Sequence, residues 1–215
     1  MTGSPRFRAV LFDWDGTLAD TAEATYRCYL RTFDAYNIAF DRDVFARTYS
    51  PNWYDTFRCL GLPEHQWADA DERWLRHFAE ETVGLIEGAR DVLQQLADRG
   101  IDLAVVTSGT RDRVTREMEH HGVAPLLRAC VFGTDVAQKK PHPEALLHCL
   151  EQMGVDAAHA AYVGDSPEDI AMARAANVFA VAVPGGYPNR DALVAARPDA
   201  LVLSLQDVLA LADNP

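Results

Sequence analysis

Short, wholly apolar runs punctuate the chain at Ala9–Phe12, Leu103–Val106, Cys130–Phe132, Ala160–Val163 and Val178–Val183. Each has the length of a strand and none alternates with polar residues, the pattern of strands covered on both faces. Between them, apolar positions recur every three or four residues near Ala89–Asp98, Arg111–His121, Pro143–Met153 and Pro167–Ala176, which predicts helices. Gly100, Gly122 and Gly154 stand where those helices should stop. Regular alternation of strand and helix predicts an α/β fold, a Rossmann-like parallel sheet with helices on each side.

One stretch breaks the rhythm. After the first apolar run, residues 20–82 show only helical spacing, with Tyr26, Tyr29, Leu30 and Phe33 and then Trp67, Trp74, Leu75 and Phe78 forming apolar stripes. The expected organisation is therefore a core made of residues 1–19 and 83–215, interrupted by a helical cap domain at 20–82. Helices packed on the core without a separate role are the plainer alternative.

Composition narrows the function. The chain has 215 residues, enough to bury a full core, and a net charge of -12 with no run of basic residues, which disfavours nucleic acid as a partner. An anionic substrate must then be held by a focused local site. Cys28, Cys59, Cys130 and Cys149 have neither CxxC spacing nor neighbouring histidine clusters, so they read as reduced structural thiols. No signal-peptide order opens the chain and no 18-residue apolar run occurs. A cytoplasmic protein without a membrane partner is expected, and its oligomeric state is open.

The chemistry concentrates at the ends of the apolar runs. Asp13 and Asp15 follow the first run in Asp13-Trp-Asp15-Gly16-Thr17-Leu-Ala-Asp20, two residues apart and so on one side of an extended chain. In an open parallel sheet these acids would face the crevice at the carboxyl ends of the strands. Two close carboxylates are tolerable if a divalent cation neutralises them, or if one keeps its proton and serves as a general acid. Gly16 permits a turn and Thr17 can fix it by hydrogen bonding. A capped turn is the alternative reading of so short a motif.

This segment resembles the first signature of the haloacid dehalogenase superfamily, in particular its capped phosphatases, of which phosphoglycolate phosphatase and beta-phosphoglucomutase are the nearest types. The remaining signatures follow in order. Leu103–Val106 with Thr107, Ser108 and Gly109 is similar to the second, which implies phosphoryl binding by the Thr107 hydroxyl and by the N–H groups of Ser108 and Gly109. Lys139-Lys140-Pro141 is similar to the third, in which the lysine before proline bridges nucleophile and phosphoryl group. These are the two lysines of a chain whose other 18 basic residues are arginine, so a compact ammonium is specifically retained there. Lys140 is assigned the catalytic place and Lys139 that of a solvated neighbour.

Ala161–Gly164 with Asp165, Ser166, Pro167, Glu168 and Asp169 is similar to the fourth signature, with Ser166 an expected N-cap and Glu168 a simple helix-start acid. The resemblance implies a cation held by the Asp13 carboxylate, the Asp15 backbone carbonyl and Asp165, with Asp169 acting through water or orienting Lys140. Oxygen ligands alone imply Mg²⁺ instead of zinc; His142 is read as a loop residue.

The implied activity is a magnesium-dependent phosphatase for a small phosphorylated metabolite, with Asp13 as nucleophile and Asp15 as acid/base. Two alternatives stand beside it, a sugar phosphomutase and a non-catalytic phosphate-binding protein. Mutases of this type carry a cap histidine where this chain has Thr25. Arg47, Trp53, Tyr54 and Arg58 are the cap residues placed to touch substrate, although surface arginines and packed aromatics would look the same.

Overall fold

The computed structural model describes residues 6–213. Six parallel strands, β1 (Ala9–Phe12), β2 (Asp102–Val106), β3 (Ala129–Val131), β4 (Ala160–Gly164), β5 (Phe179–Ala182) and β6 (Ala200–Leu201), form one sheet in the order β3-β2-β1-β4-β5-β6. β1 is central, with Phe12 in register with Val105 on one side and Val163 on the other. The order reverses at β1, and such a reversal opens a crevice beyond the carboxyl ends of the strands.

Alternate strand residues feed two cores. Val10, Phe12, Leu103 and Val105 face a layer containing Val92, Leu93 and Leu96 of helix α5 (Ala89–Asp98) and Val114 and Met118 of α6 (Arg111–His120). Ala9, Leu11, Ala104 and Val106 face the opposite layer, where α7 (Glu144–Met153), α8 (Pro167–Ala175) and α9 (Arg190–Ala195) contribute Leu146, Ile170 and Leu193. Burial on both sides is why β1 and β4 are continuously apolar. A last helix, α10 (Asp207–Asp213), closes the first layer through Val208 and Ala212.

Between β1 and α5 lie the helices α1 (Ala22–Asp34), α2 (Arg42–Thr48), α3 (Trp53–Cys59) and α4 (Trp67–Phe78). They share a third core of Tyr29, Phe33, Phe40, Phe45, Phe57 and Leu62, to which, among the described residues beyond 82, Tyr187 is the one buried contributor. Tyr29, Phe33 and Phe78 are buried as the stripes predict, but Leu30 is 41% exposed, because it falls outside the arc of α1 that packs. All four cysteines are free. Among the described residues, no helix is long and apolar enough to cross a membrane.

Candidate active site

Register brings the signature residues together. Asp13 follows β1 and donates its N–H to the Val163 carbonyl of β4 at 2.9 Å, while Thr107 and Asp165 directly follow β2 and β4. Asp13, Asp15, Thr107, Ser108, Lys140 and Asp165 thus line one chamber at the carboxyl edge of the sheet, with Gly109 beside them. Asp169 is 1% exposed and does not line the chamber.

Lys140 reaches the centre from the loop before α7. Its Nζ donates at 2.7 Å to Asp13 Oδ1, at 2.7 Å to Asp169 Oδ1 and at 2.7 Å to the Tyr162 hydroxyl. Burial alone would lower its pKa, but Asp13 and Asp169 raise it above the ordinary lysine value, so the ammonium stays charged. Tyr162 in turn donates to the Val106 carbonyl at 2.8 Å, which fixes the cradle to the sheet.

Asp169 holds this arrangement from behind. Its Oδ2 accepts from the N–H of Ser166 at 3.1 Å and from its hydroxyl at 2.7 Å, while Ser166 Oγ accepts the Asp169 N–H at 3.1 Å. This reciprocal cap fixes the first turn of α8. Both Asp169 oxygens are occupied by donors, so its geometry suits orienting Lys140. Glu168, read as a simple helix-start acid, is half-buried.

The donor set fits a hard divalent cation. Asp13, Asp165 and Asp169 bring carboxylate oxygens within 4.8 Å of one another, with only Lys140 to offset three buried acids. Asp165 Oδ2 is buried without a hydrogen-bond partner, and Oδ1 accepts only the Thr17 hydroxyl at 3.3 Å. Burial pushes Asp13 up to about 7 against the lowering pull of Lys140. Burial, with Asp169 and Asp13 adding to it, pushes Asp165 well above the carboxylate range. An oxygen-only, electron-rich pocket of this kind suits Mg²⁺ better than zinc. Gly16 makes room for it: at φ +82° it adopts a left-handed conformation, and a side chain there would strike Asp165 Oδ2 and the Tyr187 ring.

Asp15 is engaged differently. Arg113 Nη1 donates to its Oδ1 at 2.9 Å and Nη2 to its Oδ2 at 2.5 Å, and Nη1 also reaches Glu117 Oε2 at 3.2 Å. Trp14 Nε1 donates to the same Glu117 oxygen at 2.6 Å. The sequence reading missed Arg113 and Glu117. Their signal was present, since they form an i,i+4 ion pair on the face of α6 that also buries Val114 and Met118.

The phosphoryl loop also differs in detail from the expectation. The Gly109 N–H is spent on Thr107 Oγ1 at 3.0 Å, which leaves the Thr107 hydroxyl hydrogen free to donate. Gly109 is small for another reason, because a Cβ there would strike Arg113. Of the expected cap contacts, Trp53 lines the chamber, whereas Arg47 and Arg58 are exposed and do not. Tyr54 stacks on Trp67 at 5.2 Å instead. Lys139 is half-buried, with its ammonium 4.0 Å from the Trp53 ring centre, so it is not the solvated neighbour expected. His142 is an exposed loop residue.

The sheet order, the acid cluster and the buried lysine at the end of the central strand make an arrangement suited to phosphoryl chemistry on a Rossmann-like α/β fold. The chain belongs to the haloacid dehalogenase-like hydrolase family, whose model matches residues 10–183. It is an enzyme, a phosphatase of that family.

Among its relatives, it is 32% identical to "Pyrophosphatase PpaX" of Bacillus pumilus over 207 residues, covering 94% of each chain. It is 30% identical to "Phosphoglycolate phosphatase" of Synechococcus elongatus over 207 residues, covering 94% of this chain and 95% of that protein. Among solved structures it resembles CbbY from Rhodobacter sphaeroides in complex with phosphate, with a TM-score of 0.80 at 26% identity, covering 97% of this chain and 100% of that one.

Proposed function

We propose that the chain is a Mg²⁺-dependent phosphomonoesterase that hydrolyses a small phosphorylated metabolite through an aspartyl-phosphate on Asp13. One observation carries the reading: Asp13 is buried against Lys140 and beside Asp165, whose Oδ2 lacks any partner. That arrangement supplies a fixed carboxylate, a fixed ammonium and a place for a cation around one point. In this reading α1–α4 form a cap domain over residues 20–82, the remainder is the catalytic core, and the free cysteines suit a cytoplasmic setting.

Asp13 attacks phosphorus in line and Asp15 delivers a proton to the departing alcohol. Asp15 then accepts a proton from the water that hydrolyses the acyl phosphate. Lys140 and the Thr107 hydroxyl stabilise charge on the equatorial oxygens, with the Ser108 and Gly109 backbone beside them. Asp13 and Asp165 would hold the ion with the Asp15 carbonyl as a further donor, and Asp169 keeps Lys140 in place. The ion, when bound, supplies charge neutralisation and keeps Asp13 ionised and nucleophilic.

The chamber measures about 80 Å³, against the ~10–15 Å³ one water requires. With the helices as they stand, this suits a phosphoryl group with a short organic tail. A phosphomutase is disfavoured because Thr25 bonds Tyr187 at 2.9 Å and offers no acid/base group to a sugar hydroxyl. Release of phosphate from p-nitrophenyl phosphate with and without Mg²⁺ tests the reading. Metal-dependent release is expected; its absence would favour a phosphate-binding role.

A further inference from the structure

The wall that faces the leaving group contains an acid with no hydrogen-bond or ion-pair contact among the described residues. Asp71, Trp74, Leu75 and Phe78 lie at three and four spacing on one face of α4, and the first three line the chamber. A carboxylate on an otherwise apolar helix face is out of place for packing alone. Asp71 is half-buried, and among the described residues no hydrogen bond or ion pair within 4.0 Å reaches it. Burial raises its pKa, and Lys139 opposes that from a distance. Lys139 itself lies on the Trp53 ring and lines a neighbouring surface groove instead of the chamber.

Around Asp71 the wall is aromatic, with Tyr29, Tyr49, Trp53 and Trp74. The other acids of the chamber each touch a fixed basic group or lie in the candidate ion cluster, Asp165 among the latter. Lys140 is shared by Asp13 and Asp169, and Arg113 by Asp15 and Glu117. A divalent ion would sit beside Asp13 and Asp165, away from Asp71. Asp71 would keep only the longer-range attraction of Lys139, with no cation in contact with it among the described residues. The helices α1–α4 bring no cation to the chamber, since Arg47 and Arg58 are exposed outside it. A substrate with a second anionic group would meet an acid and no free cation, in a protein whose net charge is -12.

We propose that this wall is an ammonium subsite, and that the substrate is the phosphate monoester of a small amino alcohol, its positive tail set against Asp71 and the faces of the surrounding rings. Carboxylate pairing and cation–π attraction both strengthen in a desolvated chamber. The inference rests on the phosphomonoesterase reading and adds the class of leaving group to it.

The test is kcat/KM of the whole chain with Mg²⁺ on phosphoethanolamine, phosphocholine, glycerol 3-phosphate and phosphoglycolate, with p-nitrophenyl phosphate as reference. The two ammonium esters are expected to exceed the neutral and carboxylate esters about tenfold or more. Asp71→Asn should lower the ratio of phosphoethanolamine to glycerol 3-phosphate about tenfold. Equal or greater activity on glycerol 3-phosphate or phosphoglycolate, or an unchanged ratio in Asp71→Asn, overturns the subsite while hydrolysis of the aryl ester upholds the phosphatase. If Asp71→Asn does not fold, the order of substrates for the unaltered chain decides. Failure to release phosphate from any ester, the aryl one included, would overturn both.

Discussion

Arg113 grips Asp15 by both carboxylate oxygens, at 2.9 and 2.5 Å, across 98 residues of sequence. A planar fork can fix a carboxylate in direction as well as in distance, and an ammonium cannot. In the proposed reaction Arg113 therefore positions Asp15, the assigned acid/base, through these two bonds. Arg113→Lys should lower kcat on an alkyl phosphate about tenfold or more with little change in KM. The loss should be smaller on p-nitrophenyl phosphate, whose leaving group needs little protonation. Steady-state kinetics on the two esters checks this; equal losses on both would indicate a purely structural role.

Lys140 and Lys139 adjoin in sequence but should behave differently. Lys140→Met leaves Asp13 and Asp169 without their shared ammonium, and loss of one partner from a buried pair costs ~3–5 kcal/mol. A lower thermal midpoint and loss of turnover are expected. Lys139→Ala removes an ammonium lying on the Trp53 ring, a contact of about 0.5–1 kcal/mol, so the midpoint should move by a few degrees at most. Thermal unfolding of the two variants side by side distinguishes them.

Mg²⁺ should stabilise the protein more as pH rises. Asp13 has a folded-state pKa of about 7 against an ordinary value of 3.8, and Asp165 is also raised. Between those values the unfolded chain has already released protons that the metal-free fold retains. These groups therefore remove stability from the metal-free fold as pH rises from near 4 to near 7. A cation displaces the protons and cancels the penalty. The Mg²⁺-induced shift in midpoint should grow from pH 5 to pH 8; a shift independent of pH would contradict the account.

Gly16→Ala should cost about 1–3 kcal/mol for a non-glycine residue in the left-handed region and also disturb Asp165. The expected result is a higher Mg²⁺ concentration for half-maximal activity, measured by metal titration. An unaltered metal requirement would show that the packing of Gly16 against Asp165 does not shape the ion site.

Local pattern made the centre of the fold legible. β1 and α5 have the limits that apolar runs and helical spacing predict, and a glycine in the left-handed conformation ends α7 at Gly154. β6 is two residues long, too short for any period to register, and neither α9 nor α10 was anticipated. The residues lining the chamber that follow strands were visible as polar ends of apolar runs. Arg113, Tyr187 and Asp71 were not. Each gains its place through a tertiary contact or a cavity wall, and a charged or aromatic residue on a helix or loop gives little local sign of which neighbour it will meet. For Arg47 and Arg58 the plainer of the two readings holds: side-chain type allowed a ligand contact, but both are exposed surface arginines outside the chamber.

Trapping the covalent intermediate tests the nucleophile most directly. The enzyme is mixed with an aryl phosphate and Mg²⁺, quenched in acid during turnover, digested and mapped by mass spectrometry. One phosphoryl group on the peptide containing Asp13, absent from an Asp13→Asn variant that folds but does not turn over, is the expected result. Substantial phosphate release by Asp13→Asn, or turnover with the phosphoryl group on another residue, would contradict the account.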